Sequence, residues 1–340
     1  MNIFSGVETV DGYEPSWLYK ILRPKKSGNT INGLGETESR RPTPIYHRYD
    51  HWHPWILYGI TFMIKKILTP QHRKYFKRMV ELDNQGFCDI APSKIEDTPE
   101  SWTKKTKQEA LSLPGCDVVG IAKVDPLWVF DHDHDEHEWI IVIGLSMDYE
   151  VLKNNMEGRT VEAEVTVLDT YIRSQEAAFE LADWIRQQGY DAKGVGGPKA
   201  SEINNIPAAI AAGLGQLGKH GSMMNEQLGA CFRMSYVLTD IPLVCDEPVD
   251  IGVDEFCNAC QLCTRYCPPN AIFPEKQLVR GEIKWFVDFD KCIPYFNDND
   301  GCGICISACH WARPGLAPGI VQKMLRKKEK RLKAESSETK

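Results

Sequence analysis

The sequence predicts an α+β protein in two parts. A sheet-and-helix module fills roughly the first 245 residues, and a smaller module built on two iron–sulfur clusters follows it. Three observations predict this. The run 139–147, Trp-Ile-Ile-Val-Ile-Gly-Leu-Ser-Met, is apolar almost throughout, as a strand buried on both faces must be. Residues 161–188 repeat apolar positions at helical spacing. Eight cysteines then fall into two runs at cluster-ligand spacing.

In chain order, residues 1–50 are rich in Pro, Gly, Ser, Thr and charge and read as an extended arm. His47, His51 and His53 stand among Tyr46, Tyr49, Trp52 and Trp55. A packed aromatic arm is the expectation there, and a cofactor-lining cluster the alternative. The apolar stretch 55–63 is too short to span a bilayer and runs into Lys65 and Lys66, which predicts a buried helix. Residues 60–115 read as helical, so 1–115 forms an arm and helical segment wrapping a core at 116–248.

Within that core the sequence predicts strands at 117–124 and 139–147. Between them, Asp131-His132-Asp133-His134-Asp135-Glu136-His137-Glu138 has metal-trap composition, but its charge density reads as a solvated loop. The helix at 161–188 carries Val167, Leu168, Tyr171, Ala178, Ala182 and Ile185 on one stripe, and Gly189 stops it. A glycine loop (Gly194, Gly196, Gly197), a small-residue helix at 206–213, the turn Gly213-Leu214-Gly215-Gln216-Leu217-Gly218 and a strand at 232–240 follow. The order predicts a mixed sheet with helices packed on it. Trp184, Phe232 and Tyr236 are expected to pack in that core.

Cys257-x2-Cys260-x2-Cys263-x3-Cys267-Pro268 is the bacterial spacing for a 4Fe-4S cluster, and Cys292, Cys302, Cys305 and Cys309 form a second set. In two-cluster modules the fourth cysteine of each run crosses over. Cys257, Cys260, Cys263 and Cys309 are therefore assigned to one cluster, and Cys267, Cys292, Cys302 and Cys305 to the other. Zinc sites close with four ligands in pairs, which a doubled three-plus-one run does not match. Cys88, Cys116, Cys231 and Cys245 lack ligand spacing and are expected as buried thiols. The cluster module spans 249–315. After the Pro/Gly hinge at 314–319 comes a basic tail at 316–340, expected to fray in solvent, with contact to an anionic membrane as the alternative.

A net charge of −7 argues against a nucleic-acid binder, and 42% hydrophobic residues suffice for a real core. The first residues, Met1-Asn2-Ile3-Phe4-Ser5-Gly6, show no signal-peptide pattern. The expectation is a cytoplasmic protein, with a shortened form of an exported or peripheral one as the alternative.

The ordered stretches 118–126, Met147-Asp148-Tyr149-Glu150, the helix from Tyr171 to Gly189-Tyr190, Ala212-Gly213-Leu214-Gly215-Gln216-Leu217-Gly218, 233–243 and the two cysteine runs resemble the corrinoid-dependent reductive dehalogenases, which are related to epoxyqueuosine reductase. The resemblance covers about 115–315. It implies a nitroreductase-like α/β core that binds a cobalamin, beside a ferredoxin-like module with two 4Fe-4S clusters. By position it implies Tyr171 as proton donor and Arg233 as its supporting cation. It also places Gly194, Gly196, Gly197, Lys199, Gly213 and Gly215 near the corrinoid, where glycines permit close approach. A phenol is a protonated acid at neutral pH, and a guanidinium beside it stabilises the phenolate left behind.

The implied reaction is removal of halide from an organohalide by Co(I). A ferredoxin, a flavodoxin-like protein or a membrane quinol chain would supply the electrons. Two departures bear on it. Gly197 stands where some dehalogenases carry Asn, with Lys199 close enough to supply a donor instead. The Arg-Asp-Tyr-His stretch of epoxyqueuosine reductases is absent, which favours dehalogenation over a corrinoid-dependent reduction of a non-halogenated substrate. A non-catalytic iron–sulfur carrier is the third reading.

Overall fold

The computed structural model describes residues 13–46, 52–158, 160–197 and 202–338. His47, Tyr49, His51 and Lys199 lie outside the described residues. Helices α1 (Trp17–Leu22), α2 (Gly28–Ile31), α3 (Ile56–Leu68), α4 (Pro70–Gln85) and α5 (Pro99–Ser112) precede strands β1 (Val118–Lys123) and β2 (Trp139–Ser146). Next come α6 (Tyr149–Leu152), the long α7 (Thr160–Gln187), β3 (Ala192–Val195), α8 (Asn205–Ala211), the short pair β4 (Gln216–Leu217) and β5 (Met223–Met224), and β6 (Phe232–Thr239).

The main sheet has the order β1-β2-β6-β3, and every neighbouring pair is antiparallel. This corrects the expected mixed sheet. β2 and β3 do point the same way, as a strand–helix–strand crossover through α7 requires. The later strand β6 inserts between them, however, and removes the parallel contact. The apolar run in β2 is explained by burial on both faces. Ile141 and Ile143 pack with Ala178, Leu181 and Ala182 of α7, while Ile140 and Val142 pack with Ala208 and Ala209 of α8. Trp184 adjoins the α7-side core, and Phe232 and Tyr236 belong to the α8-side core, so all three pack as expected.

Helix α7 is uninterrupted because no Gly or Pro falls within it, and Gly189 ends it at φ +89°. It sits tight on the sheet. Ser235 Oγ donates to the Ser174 carbonyl at 2.6 Å, and a side chain at Gly194 would meet the Ala178 carbonyl oxygen at 2.5 Å. At 28 residues it is ~42 Å long, so its first turns overhang the sheet. There α4 packs on it through Phe76, Met79 and Leu82. Helix α3 is buried on one face only. Leu57, Ile60, Ile64, Ile67 and Leu68 are exposed, so the buried helix expected there holds for one face only.

The arm is fastened mainly to the cluster module. The Ser27 hydroxyl and Gly28 N–H donate to Asp290, Asn29 Nδ2 donates to Asp288, and Leu34 bridges to Val279. Tyr19, Tyr46, Trp55 and Tyr58 form the packed aromatic cluster expected of it, with His53 buried nearby and Trp52 exposed. In the acidic loop Asp131, His132, His134, Glu136 and Glu138 are exposed as expected. His137 is not: its Nδ1 lies 3.0 Å from Asp135 and its Nε2 3.6 Å from Asp191, and the Asp135 carboxylate raises its pKa.

The cluster module contains α9 (Val253–Ala259), α10 (Leu262–Arg265), the hairpin β7 (Gln277–Val279) and β8 (Glu282–Lys284), α11 (Phe289–Asp298) and α12 (Ile304–Ser307). Gly229 carries the contact between module and core. At φ +65°, a side chain there would sit 1.7 Å from the Trp311 carbonyl oxygen. The basic tail is not frayed. It forms α13 (Ala317–Glu338), with Ala317 and Val321 buried and Lys328 and Arg331 paired to Asp250 and Glu255. Among the described residues no helix is long and apolar enough to cross a membrane. Cys116 and Cys231 are buried as expected, but Cys88 is half-buried and Cys245 exposed.

Candidate functional site

The eight module cysteines gather into two quartets. Cys309 lies in electrostatic range of Cys257, Cys260 and Cys263. Cys292 lies in range of Cys302 and Cys267, and Cys305 of Cys302, Cys292 and Cys267. The crossover is thus built into the backbone: α12 carries Cys305 into one quartet and delivers Cys309, just beyond it, to the other. Cys305 also senses Cys263, so the quartets adjoin. Burial pushes the Cys257 thiol up to about 11 and those of Cys263 and Cys302 to about 12. Sulfur this buried gives up its proton readily only to a metal, and four such donors per group suit a 4Fe-4S cluster.

Tyr171 is half-buried on α7, two turns beyond Glu164 and one beyond Val167 and Leu168. Arg233 is the second residue of β6, half-buried and paired with Leu145. Its guanidinium carbon lies 5.5 Å from the centre of the Tyr171 ring, within cation–π range. Both side chains line a cavity of about 170 Å³. Its other walls are mostly apolar, from Phe62, Phe76, Met79 and Phe296, with Glu164 among them, and Gly301 and Gly303, the residues flanking Cys302, line it too. Glycine is required in that loop. A side chain on Gly301 (φ +86°) would sit 3.2 Å from the Glu164 carboxyl, and one on Gly303 (φ +69°) would press on Asn155 Nδ2, which donates to the Cys302 carbonyl at 2.7 Å. Tyr171, Arg233 and the loop that carries Cys302 therefore share one cavity.

The other glycines singled out in the sequence serve the chain's own packing. A side chain on Gly196 would strike Gln175. On Gly213 (φ +71°) it would strike the Glu247 carbonyl, and on Gly215 the Met224 carbonyl. On Gly197 (φ +85°) it would sit 3.0 Å from Gln175 Oε1. With Gly194 against Ala178, none of these positions needs a ligand to explain its glycine.

Sequence reasoning missed a second layer of charge. Lys66 is fully buried and paired with Glu164 and Asp300, and His72 Nε2 stands 3.4 Å from Glu164. Burial pulls the Lys66 ammonium down, to about 7, and the Asp300 carboxylate opposes this. The signal available was Glu164, two turns before Tyr171 on its stripe. Lys219 is also buried, donating to the Pro274 carbonyl at 2.8 Å and lying 4.7 Å over the Trp285 ring, beside the Cys257 quartet. Next to it, His220 is buried with Nδ1 accepting from the Ser222 N–H at 3.1 Å, while its Nε2 and Arg233 Nε have no hydrogen-bond partner.

Burial and the nearby Arg233 pull His220 down to about 4. It is neutral in the folded chain and takes up a proton on unfolding near its ordinary pKa of 6.5. Stability is therefore expected to fall as pH drops from about 6.5 towards 4, by about 3 kcal/mol in total. In thermal melts of the cluster-loaded protein across that window, His220→Gln is expected to show a shallower pH dependence than wild type.

The sequence pattern of a 4Fe-4S dicluster domain matches residues 256–312, which include all eight cysteines. The chain is 29% identical to a tetrachloroethene reductive dehalogenase of Desulfitobacterium hafniense, over 70% of this chain and 47% of that protein. It is 31% identical to one of Sulfurospirillum multivorans, over 61% of this chain and 50% of that protein. The chain is a relative of the reductive dehalogenases. A solved catabolic reductive dehalogenase shares its fold with a TM-score of 0.70 at 21% identity, covering 91% of this chain and 47% of that one. Another, in complex with 3-bromo-4-hydroxybenzoic acid, reaches 0.64 at 25% identity, covering 82% of this chain and 40% of that one. The chain thus spans about half the length of the curated dehalogenases it matches. An epoxyqueuosine reductase of Aliivibrio fischeri is a further relative, 26% identical over 71% of this chain and 66% of that protein.

Proposed function

We propose that this chain is a reductive dehalogenase, in which the nitroreductase-like core holds a corrinoid and the cluster module feeds it electrons. The observation that carries this reading is the shared cavity of Tyr171, Arg233 and the Gly301–Cys302–Gly303 loop. Two buried polar atoms without protein partners, Arg233 Nε and His220 Nε2, suit the amide-bearing edge of a corrinoid and are the residues that would hold it. A reduced corrinoid supplies the low-valent cobalt that carbon–halogen cleavage requires.

The chain's own residues do the rest. The apolar wall around Phe62, Phe76, Met79 and Phe296 excludes water. At about 170 Å³ the cavity is on the scale at which apolar pockets accept benzene, which favours a small halogenated hydrocarbon as substrate. Tyr171 donates its phenolic proton to the carbon losing halide, and the Arg233 charge over the ring face stabilises the tyrosinate. Glu164, ion-paired with Lys66 and 3.4 Å from His72 Nε2, sets a carboxyl group in the far wall of the cavity.

The test is anaerobic reconstitution with iron, sulfide and cobalamin, followed by a panel of haloalkenes and haloarenes with reduced viologen. Bound corrinoid absorbance and halide release are the expected results. Intact clusters with no bound corrinoid would leave an electron carrier. Bound corrinoid with no halide release across the panel would leave a reductase of another substrate class.

A further inference from the structure

We propose that the groove between α13 and the cluster module is the docking surface for an acidic, low-potential electron-carrier protein. The proposal rests on the electron-relay part of the function above. The groove has a volume of about 490 Å³ and an apolar floor that includes Phe256 and Met324. Cys260 lines it as well, and it is half-buried where its quartet partners Cys257, Cys263 and Cys309 are buried. This is where that quartet comes nearest to solvent.

The rim is cationic. Arg265, Lys323 and Lys327 line the groove and are exposed, and among the described residues none makes an ion pair. Glu255, also on the groove, is already paired with Arg331. Three free cations around a cluster ligand stand out on a chain whose net charge is −7. An acidic partner is repelled by most of this surface and drawn to this face, which is how charge sets encounter and orientation.

The shape and sign select the occupant. Two copies meeting through the same face would bring like charges together. A lipid surface would meet the outer side of α13, not a concave floor. A carrier protein with an acidic rim and an apolar contact around its redox centre fits both, through the small interface typical of transient electron transfer. Each docking passes one electron to the Cys257 quartet's cluster, with no bond or proton change. Two such transfers supply what the reaction consumes: organohalide, two electrons and one proton give the hydrogenated product and halide.

The test uses the full chain with both clusters, under anaerobic conditions, with a reduced bacterial flavodoxin as probe. Stopped-flow bleaching of cluster absorbance and calorimetric binding of oxidised flavodoxin are the readouts. The triple variant Arg265→Glu, Lys323→Glu, Lys327→Glu is expected to slow reduction by flavodoxin ~10- to 100-fold and to abolish binding. Wild-type rates should fall steeply with added salt. Reduction by methyl viologen should be the same in both proteins. Unchanged flavodoxin kinetics in the variant would overturn the proposal. So would charge-dependent binding of anionic vesicles, or dimerisation in sedimentation, that the same variant abolishes. Failure of viologen to reduce wild-type clusters would instead overturn the relay itself, and the docking surface with it.

Discussion

Replacing Tyr171 with Phe is expected to lower dehalogenation turnover by ~10²- to 10⁴-fold, the range a positioned general acid contributes. The change removes one oxygen and preserves the ring that Arg233 covers at 5.5 Å. Cluster absorbance, corrinoid content and melting temperature should therefore stay at wild-type values. Solvent-exchange experiments sharpen the result: wild type should place solvent deuterium in the product through the exchangeable phenol, and the variant should lose rate, not product identity. Full turnover in Tyr171→Phe would remove the phenol from the mechanism. Loss of corrinoid with loss of rate would assign Tyr171 to binding instead.

The cluster assignment makes an equally large prediction. If the fourth cysteines cross, Cys267 and Cys302 serve the same cluster, while Cys267 and Cys309 serve different ones. The double variant Cys267→Ala, Cys302→Ala should then retain about four irons per chain, no worse than either single variant. The double variant Cys267→Ala, Cys309→Ala should lose nearly all iron, because each change empties a different site. Iron and sulfide analysis with electron paramagnetic resonance of the reduced protein decides it. The opposite pattern would show that each run closes its own cluster, against the grouping of Cys309 with Cys257, Cys260 and Cys263.

The elements most legible in the sequence were those with dense local signals. β2 is a continuous apolar run, α7 an unbroken periodic one with a glycine stop, and the cysteine runs have invariant chemistry at short spacing. The tail was misread, and α3 read for one face only, for the same reason. Their amphipathic patterns do say that one face is apolar, but not whether another part of the chain covers it. For α13 the cluster module covers Val321, whereas for α3 the outward Leu57, Ile60 and Ile64 stay exposed. The glycines carry a similar ambiguity. A missing side chain signals close approach, and the approaching group was the chain's own backbone at Ala178, Glu247 and Met224.

By itself the sequence determined the donor chemistry and the local elements. Thiolate spacing, helix periodicity and strand burial are properties of a few neighbouring residues, set by ligand geometry and by backbone repeats of 3.6 and 2. Only the tertiary structure decided the rest. The placement of β6 between β2 and β3 makes the sheet antiparallel, and it carries Arg233 onto the Tyr171 ring. The docking of α12 on α6, where Ser307 meets Leu152 and Tyr149, brings Gly301 and Gly303 to the same cavity. The buried Lys66–Glu164–His72 group joins the neighbouring helices α3 and α4 to the distant α7. Such contacts depend on which faces meet across hundreds of residues, and no local pattern encodes that pairing.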